Sequence, residues 1–524
     1  MTRTLVIGDP VVVLGNGREP VIGDGALVIE DRVVTEVGPR AELESHGPFD
    51  SVIGSPGHLV MPGFVNGHFH GGSYAHAGMP QYIFERANVS VHGNRGTVDE
   101  EFLHAAYVLS YLDCLKGGQT AVVDFSYGRP EMDLFGNEPI LRAYEDVGIR
   151  AALGFVTRDR NKYVHAPDDH FLAMLPPELR AEVAASPMGY AWPTGDVVGA
   201  YRKLTPQWDG RDGRIRCLLA PDWTPANSDE CYLLMRQLAD EYDTGIMTHV
   251  LETKSEMIFN LKHHGKTAMR RLADLGVLGP DVSVDHFVWA TDEDIAILAD
   301  TGAVAVNNPG SNLRLSTGVC RTRDILDRGG MICFGTDSIG FAPDEDFFEE
   351  LRLAMYLQRL PGRLDVGRLD TLQVLSTAAQ AGARALRMED RIGSLEPGKE
   401  ADLLVLRKDG FMKPAGKFAV LPILDVLADR AEADDIETVM VAGKVVVQDG
   451  RSTVVDEDAL WALVENAIAE GAYAAGEGKW ERWGQLGREV EPYVFEFFEP
   501  WADLPVKQAY TYNAVEAPDV SGLA

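Results

Sequence analysis

Eight short apolar runs divide the middle of the chain. They lie at 59–66, 120–125, 150–156, 215–220, 245–250, 282–288, 303–307 and 331–335. Most are separated by helix-like stretches, among them 99–116, 228–242, 255–275 and 292–300. Strands alternating with helices build a parallel sheet. Eight such repeats predict an α/β fold closed as a (β/α)8, TIM-like barrel. The connection after the third run, 157–214, is long and carries Pro, Gly and aromatic residues, which suggests an insertion over the barrel mouth. The loop 71–98 is also long and holds Tyr74, His76, Tyr82, Phe84 and His92. Long loops at strand C-termini are where barrel enzymes build substrate sites.

The two ends of the chain share another texture. Val11-Val12-Val13-Leu14 and Gly25-Ala26-Leu27-Val28-Ile29 are short β-rich runs between turn residues. The same character returns at Ala401-Asp402-Leu403-Leu404-Val405-Leu406 and from Val439 to Val447. One small β-sandwich built from both ends is therefore expected, with residues 1–59 as its first part and 392–456 as its second. The barrel fills 60–391 between them. Residues 457–524 form an extension. Its stretch 458–475 reads as a helix, and Trp480, Trp483, Tyr493, Phe495, Phe497, Phe498 and Trp501 follow. A lid, a subunit contact and a tail packed on its own barrel are all open readings.

Charge and cysteine usage narrow the partners. The chain has 48 basic and 80 acidic residues, a net charge of −32, which disfavours nucleic acid and anionic membranes. Its five cysteines show no paired spacing, which fits a reducing compartment and no thiolate metal site. The start lacks a long apolar run, and no stretch is apolar enough to predict a membrane span. A cytoplasmic protein with a small-molecule substrate is expected.

Barrel chemistry sits at strand C-terminal ends. The first run leads through Pro62-Gly63-Phe64-Val65-Asn66-Gly67 into His68-Phe69-His70. Side chains alternate along a strand, so His68 and His70 share a face about 7 Å apart. Two imidazoles so placed can bind one divalent metal. The fifth run ends in Thr248-His249-Val250-Leu251-Glu252, the sixth in Val284-Asp285-His286 and the eighth in Phe334-Gly335-Thr336-Asp337-Ser338. Other polar residues have plain readings. His263-His264 sits on a helix and faces solvent, Asp344-Glu345-Asp346 opens a helix, and His104 lies within one.

The sequence from Pro62 to His70 resembles the first barrel strand of the amidohydrolase superfamily. The branch it most resembles holds cytosine, guanine and adenosine-type deaminases and the s-triazine hydrolases. Further matches are Pro309-Gly310-Ser311-Asn312-Leu313-Arg314-Leu315, Leu375-Ser376-Thr377-Ala378-Ala379 and the re-entry motif from Ile392 to Leu403. The resemblance spans roughly residues 1–455. It implies His68, His70, His249 and Asp337 as ligands of one divalent metal, zinc first, with iron, manganese or cobalt as alternatives. It implies Glu252 as proton shuttle, His286 as partner of the attacking water or substrate, and Asp337 as acceptor of the water's proton. His76, His92, Asn307 and Trp289 are the candidate substrate contacts.

There are departures. Asn307 stands where many members carry histidine, and no lysine ends the fourth run, which argues against a carboxylated-lysine bridge between two metals. The implied reaction is attack of metal-activated hydroxide on an sp² carbon with cleavage of a C–N bond. Deamination of an amino-substituted nitrogen heterocycle comes first. Alternatives are hydrolysis of an amide, urea or carbamate, triazine dechlorination on the same scaffold, or an inactive binding or scaffold protein. A homo-oligomer is expected.

Overall fold

A computed structural model describes residues 1–15, 19–72, 99–125, 136–186, 193–338, 344–359, 369–414, 422–470, 479–502 and 504. Eight parallel strands form the barrel: β1 (Phe64–Phe69), β2 (Gln119–Asp124), β3 (Arg150–Thr157), β4 (Ile215–Pro221), β5 (Ile246–Val250), β6 (Val282–His286), β7 (Val304–Asn307) and β8 (Met331–Phe334). They pair in sequence order. The seam between β8 and β1 closes beyond β8, where Asp337 N–H donates to His68 O at 3.0 Å and His70 N–H donates to Asp337 O at 3.1 Å. The strands are almost wholly buried, because the interior faces one side and helices cover the other.

Seven of the eight apolar runs are barrel strands. The first is two strands. His58–Pro62 belongs to a seven-stranded sheet, paired with Leu403–Arg407 and with Val11, and the barrel begins only at Phe64. The hand-over is at Gly63. A Cβ there would come within 2.2 Å of the Thr120 side chain, so only glycine lets the chain pass. Apolar residues on both sides of Gly63 hid the break.

The seven-stranded sheet faces two cores, which explains its apolar strands. Leu403 and Val405 point to the sandwich core with Val6, Val11, Leu27 and Met440. Leu404 and Leu406 alternate to the other face and join the barrel core. A four-stranded sheet, in the order Val33–Pro39, Gly25–Glu30, Arg3–Gly8 and Ser51–Gly54, covers the sandwich. The re-entry motif has a structural task. Arg150, fully buried at the start of β3, donates to Asp402 Oδ1 at 2.9 Å and also bonds Glu400. Asp402 in turn accepts the Ala442 N–H at 2.7 Å. These bonds fasten the sandwich to the barrel.

The helix signals hold where caps are present. Asp99, Ser228, Thr253 and Thr291 each accept a backbone N–H two or three residues into their helices. The stretch 255–275 is two helices, Lys254–His264 and Ala268–Asp274, because Gly265 closes the first at φ +68°. Glu345 corrects one expectation. Asp346 caps the helix Phe347–Leu357, but Glu345 turns inward at φ +53° and is buried. Burial pushes its carboxyl well above the usual range.

The connection 157–214 contains helices Asp168–Met174, Pro177–Ala185 and Thr194–Trp208. The extension contributes helix Glu457–Ala469 and helix Lys479–Ala502. The last helix packs on its own chain. Leu486, Val490 and Val494 share a core with Phe171, Leu175 and Val183, and Trp501 sits with Ile258 and Phe259. The side chains of Trp480 and Trp483 lie outside the described residues, as do His76 and His92. Among the described residues no helix is long and apolar enough to cross a membrane.

Candidate active site

The ends of β1, β5, β6 and β8 converge in a buried cluster. His68 and His70 project from β1 on one face, with ring centres 4.7 Å apart, and His249 from β5 lies 4.8 Å from His68. Nitrogens of these three histidines fall within 4.8 Å of one another, and so do atoms of His68, His286 and Asp337. Asp337 Oδ1 is 3.2 Å from His70 Nε2 and 3.9 Å from His68 Nε2. His286 Nε2 is 3.9 Å from Asp337 Oδ2 and 3.7 Å from Glu252 Oε1. The structure thus brings together all six residues that the strand ends nominated.

The surroundings aim these rings. His70 Nδ1 donates to Phe125 O at 2.5 Å and His249 Nδ1 to Asp222 O at 2.7 Å, which leaves each Nε2 for a cation. His68 Nε2 is buried without a hydrogen-bond partner. Burial lowers His68 and His249 to about 3, so both imidazoles are neutral at neutral pH, the state a metal requires. Asp337 behaves oppositely. Burial raises its pKa, but the His70 hydrogen bond and the nearby histidines outweigh that and hold the carboxyl well below the usual range. His70 is raised: its burial is outweighed by the same bond to Asp337. Three neutral or proton-sharing nitrogens beside one carboxylate, with an orphaned buried nitrogen among them, fit a divalent cation.

Backbone conformation sharpens the site. Leu251, His286 and Asp337 have φ of +57°, +70° and +65°. Left-handed non-glycine residues cost energy and cluster at functional sites. Here they end the strands and turn the next side chains over the barrel mouth. The loop carrying Glu252 is held by a second acid. Glu256 accepts from Leu251 N–H at 2.8 Å, Glu252 N–H at 2.9 Å and Thr224 Oγ1 at 2.8 Å. It is fully buried, and burial pushes its carboxyl up to about 7.

Three supporting residues went unread in the sequence. Glu256 stands three after the cap Thr253, a Thr-x-x-Glu pattern that marks a capping box and could have exposed it. Asp222, one residue past β4, orients His249 through its carbonyl, while its carboxylate pairs with Arg158. Asp285 is fully buried, and its Oδ2 lies 3.2 Å from His68 Nδ1. It stands beside His249 in the β5–β6 register.

Of the candidate substrate contacts, Asn307 commits its amide to Thr322 Oγ1 and Asn312, at 3.1 Å each. Asn312 Oδ1 meets His286 Nδ1 at 2.9 Å, so Asn307 reaches the site through Asn312. Trp289 donates Nε1–H to Thr317 O at 2.9 Å and lines a cavity at the barrel mouth. His263 is exposed and His264 half-buried on their helix, and His104 bonds Asp146.

The profile of the amidohydrolase family matches residues 59–446, most of the chain and every site residue above. The chain belongs to the amidohydrolase family. This amidohydrolase is 28% identical over 461 residues to a 5′-deoxyadenosine deaminase of Methanosarcina mazei, covering 86% of this chain and 95% of that one. It is 28% identical over 451 residues to a 5-methylthioadenosine/S-adenosylhomocysteine deaminase of Syntrophomonas wolfei, covering 84% and 93%. Its fold matches a zinc-bound adenosine deaminase of Xanthomonas campestris with a TM-score of 0.76 at 24% identity, covering 90% of this chain and 98% of that one. It matches the zinc complex of an atrazine chlorohydrolase of Arthrobacter aurescens with a TM-score of 0.74 at 22% identity, covering 89% and 100%. The family is metal-dependent, and these proteins are named as deaminases and a chlorohydrolase.

Proposed function

We propose that this amidohydrolase removes the amino group from an amino-substituted nitrogen heterocycle, with an adenosine-type purine as the first candidate. One observation carries the reading: Glu252, His286 and Asp337 form a proton-handling edge directly beside the histidine cluster. The relatives named as deaminases of adenosine derivatives supply the substrate class.

His68, His70, His249 and Asp337 would hold one divalent ion, zinc first. When bound, the ion supplies the Lewis acidity that makes a water nucleophilic near neutral pH. Asp337, ionised because its pKa is depressed, accepts the proton of that water. His286 is lowered to about 4, chiefly by burial, and stays neutral. With Nδ1 donating to Asn312 Oδ1, its Nε2 remains an acceptor that orients the water's O–H. Glu252 carries a proton to the ring nitrogen and to the departing amine. Water and the aminoheterocycle become the oxo-heterocycle and ammonia.

The test is ammonia release by zinc-loaded protein across adenine, adenosine, 5′-deoxyadenosine, aminopyrimidines, triazines and ureas. Release from a purine or pyrimidine is expected. Turnover confined to ureas, or chloride release from a chlorotriazine alone, contradicts the reading.

A further inference from the structure

A cavity at the barrel mouth has a wall that the family match does not include. Its volume is 720 Å³. One side is made by Ile258, Trp289 and Leu315, from the segments after β5, β6 and β7. The other is made by Phe495, Phe498 and Trp501 of the helix Lys479–Ala502, which lies beyond residue 446, where the family match ends.

Residues of the lining are close to the proton-handling edge along the chain and through hydrogen bonds. Thr253, in its lining, follows Glu252 directly, and Trp289 stands three residues past His286. Thr317, also in the lining, donates through Oγ1 to Asn312 O at 3.2 Å, and Asn312 holds His286.

The helical wall is fixed in place. Lys254 Nζ donates to Ala502 O at 2.6 Å, and Lys262 Nζ sits 4.9 Å from the Trp501 ring centre. Arg482 pairs with both Glu182 and Glu489. The buried Leu486, Val490 and Val494 anchor the helix to the connection after β3. Together these contacts make the helix a rigid partner for a ligand rather than a loose tail.

Size and chemistry define the occupant. Ligand pockets of about 300–1,000 Å³ take drug-sized molecules, and such pockets are mostly apolar with a few polar groups. A bare aminopyrimidine or adenine would leave much of this cavity unfilled. Aromatic faces on both sides favour stacking or apolar contact. The hydroxyls of Thr253, Ser316 and Thr317 can meet a sugar.

We infer that the C-terminal helix Lys479–Ala502 is the outer wall of the substrate site. It selects an aminoheterocycle that carries a sugar-like linker ending in a bulky apolar group. The inference rests on the deaminase reading.

The test compares zinc-loaded wild type, Phe498→Ala and Ala502→Phe on adenine, adenosine and 5′-methylthioadenosine, with thermal melting as the folding control. The readout is kcat/KM for 5′-methylthioadenosine divided by that for adenine. Wild type should favour the substituted substrate. Phe498→Ala should lower the ratio by about ten- to a hundred-fold, the worth of one buried aromatic face. The fall should appear mainly in KM. Ala502→Phe adds bulk at an exposed position lining the cavity, so it folds and decides the matter even if Phe498→Ala does not. It too should lower the ratio. An unchanged ratio in the folded variants overturns the inference while leaving the deaminase reading intact. If no ammonia is released from any of the three, the deaminase reading fails. The wall is then judged by binding of 5′-methylthioadenosine, read through tryptophan fluorescence. Tighter binding by wild type than by either variant supports it, and equal or absent binding overturns it.

Discussion

Two buried glutamates four residues apart should respond to the same substitution in opposite ways. Glu252 lies 3.7 Å from His286 at the reacting edge, while Glu256 ties down the backbone that carries it. Glu252→Gln keeps side-chain size and removes the titratable group. Proton shuttles contribute about 10² to 10⁴ in rate. At about 1.4 kcal/mol per decade that is roughly 3–5 kcal/mol of barrier. The loop geometry does not depend on the Glu252 side chain for its Leu251 and Glu252 N–H bonds, so metal content and melting temperature should hold. Glu256→Gln has only one oxygen for the two N–H groups that its carboxylate now accepts. One is left buried and unpaired, at a cost of about 1–3 kcal/mol of stability. The assay is steady-state kcat with metal analysis and denaturant unfolding on both variants. Loss of metal from Glu252→Gln would make that carboxylate a ligand and refute the division of roles. Retention of full rate would refute it as well.

Three other residues yield further expectations. Asp285→Asn should weaken zinc affinity by about 10- to 100-fold, as loss of a carboxylate behind a histidine ligand typically does, read by chelator competition. The metal-free form should melt no lower than wild type, which a purely structural role would not allow. Asp402→Ala leaves Arg150 only the Glu400 carboxylate and strands the Ala442 N–H, so it should cost about 1–3 kcal/mol in denaturant unfolding, with metal affinity retained. Glu350 is raised to about 8, chiefly by burial. Its neutral form stabilises the fold, a contribution that is complete below about 4.5 and lost as pH rises through about 8. Glu350→Gln keeps an acceptor for the Gly310 N–H, so its melting temperature should gain on wild type between pH 5 and pH 9.

What the sequence disclosed was local. His68, His70, His249 and Asp337 were legible because alternation and strand order place strand-end side chains on the inner face. The apolar runs were legible because strands buried on both sides carry no polar alternation. That same property concealed the break at Gly63, where an unbroken apolar run passes from one sheet to another. Asp222, Glu256 and Asp285 were illegible because their roles arise between strands. Nothing near Asp285 in the sequence says that it will meet His68 from β1. Glu345 looked like helix-opening charge until a left-handed residue turned it inward. The helix Lys479–Ala502 advertised its aromatics, but only tertiary contact gave them the insertion and the cavity as neighbours.

The central claim is a single divalent metal held by His68, His70, His249 and Asp337 and required for turnover. The most direct measurement is metal content per chain by elemental analysis, taken beside ammonia release, before and after chelation and again after zinc is restored. The account predicts one equivalent in active protein. Chelation should abolish activity, zinc should restore it, and His68→Ala should lose metal and activity together. Two equivalents needed for activity, or full turnover by metal-free protein, would contradict it.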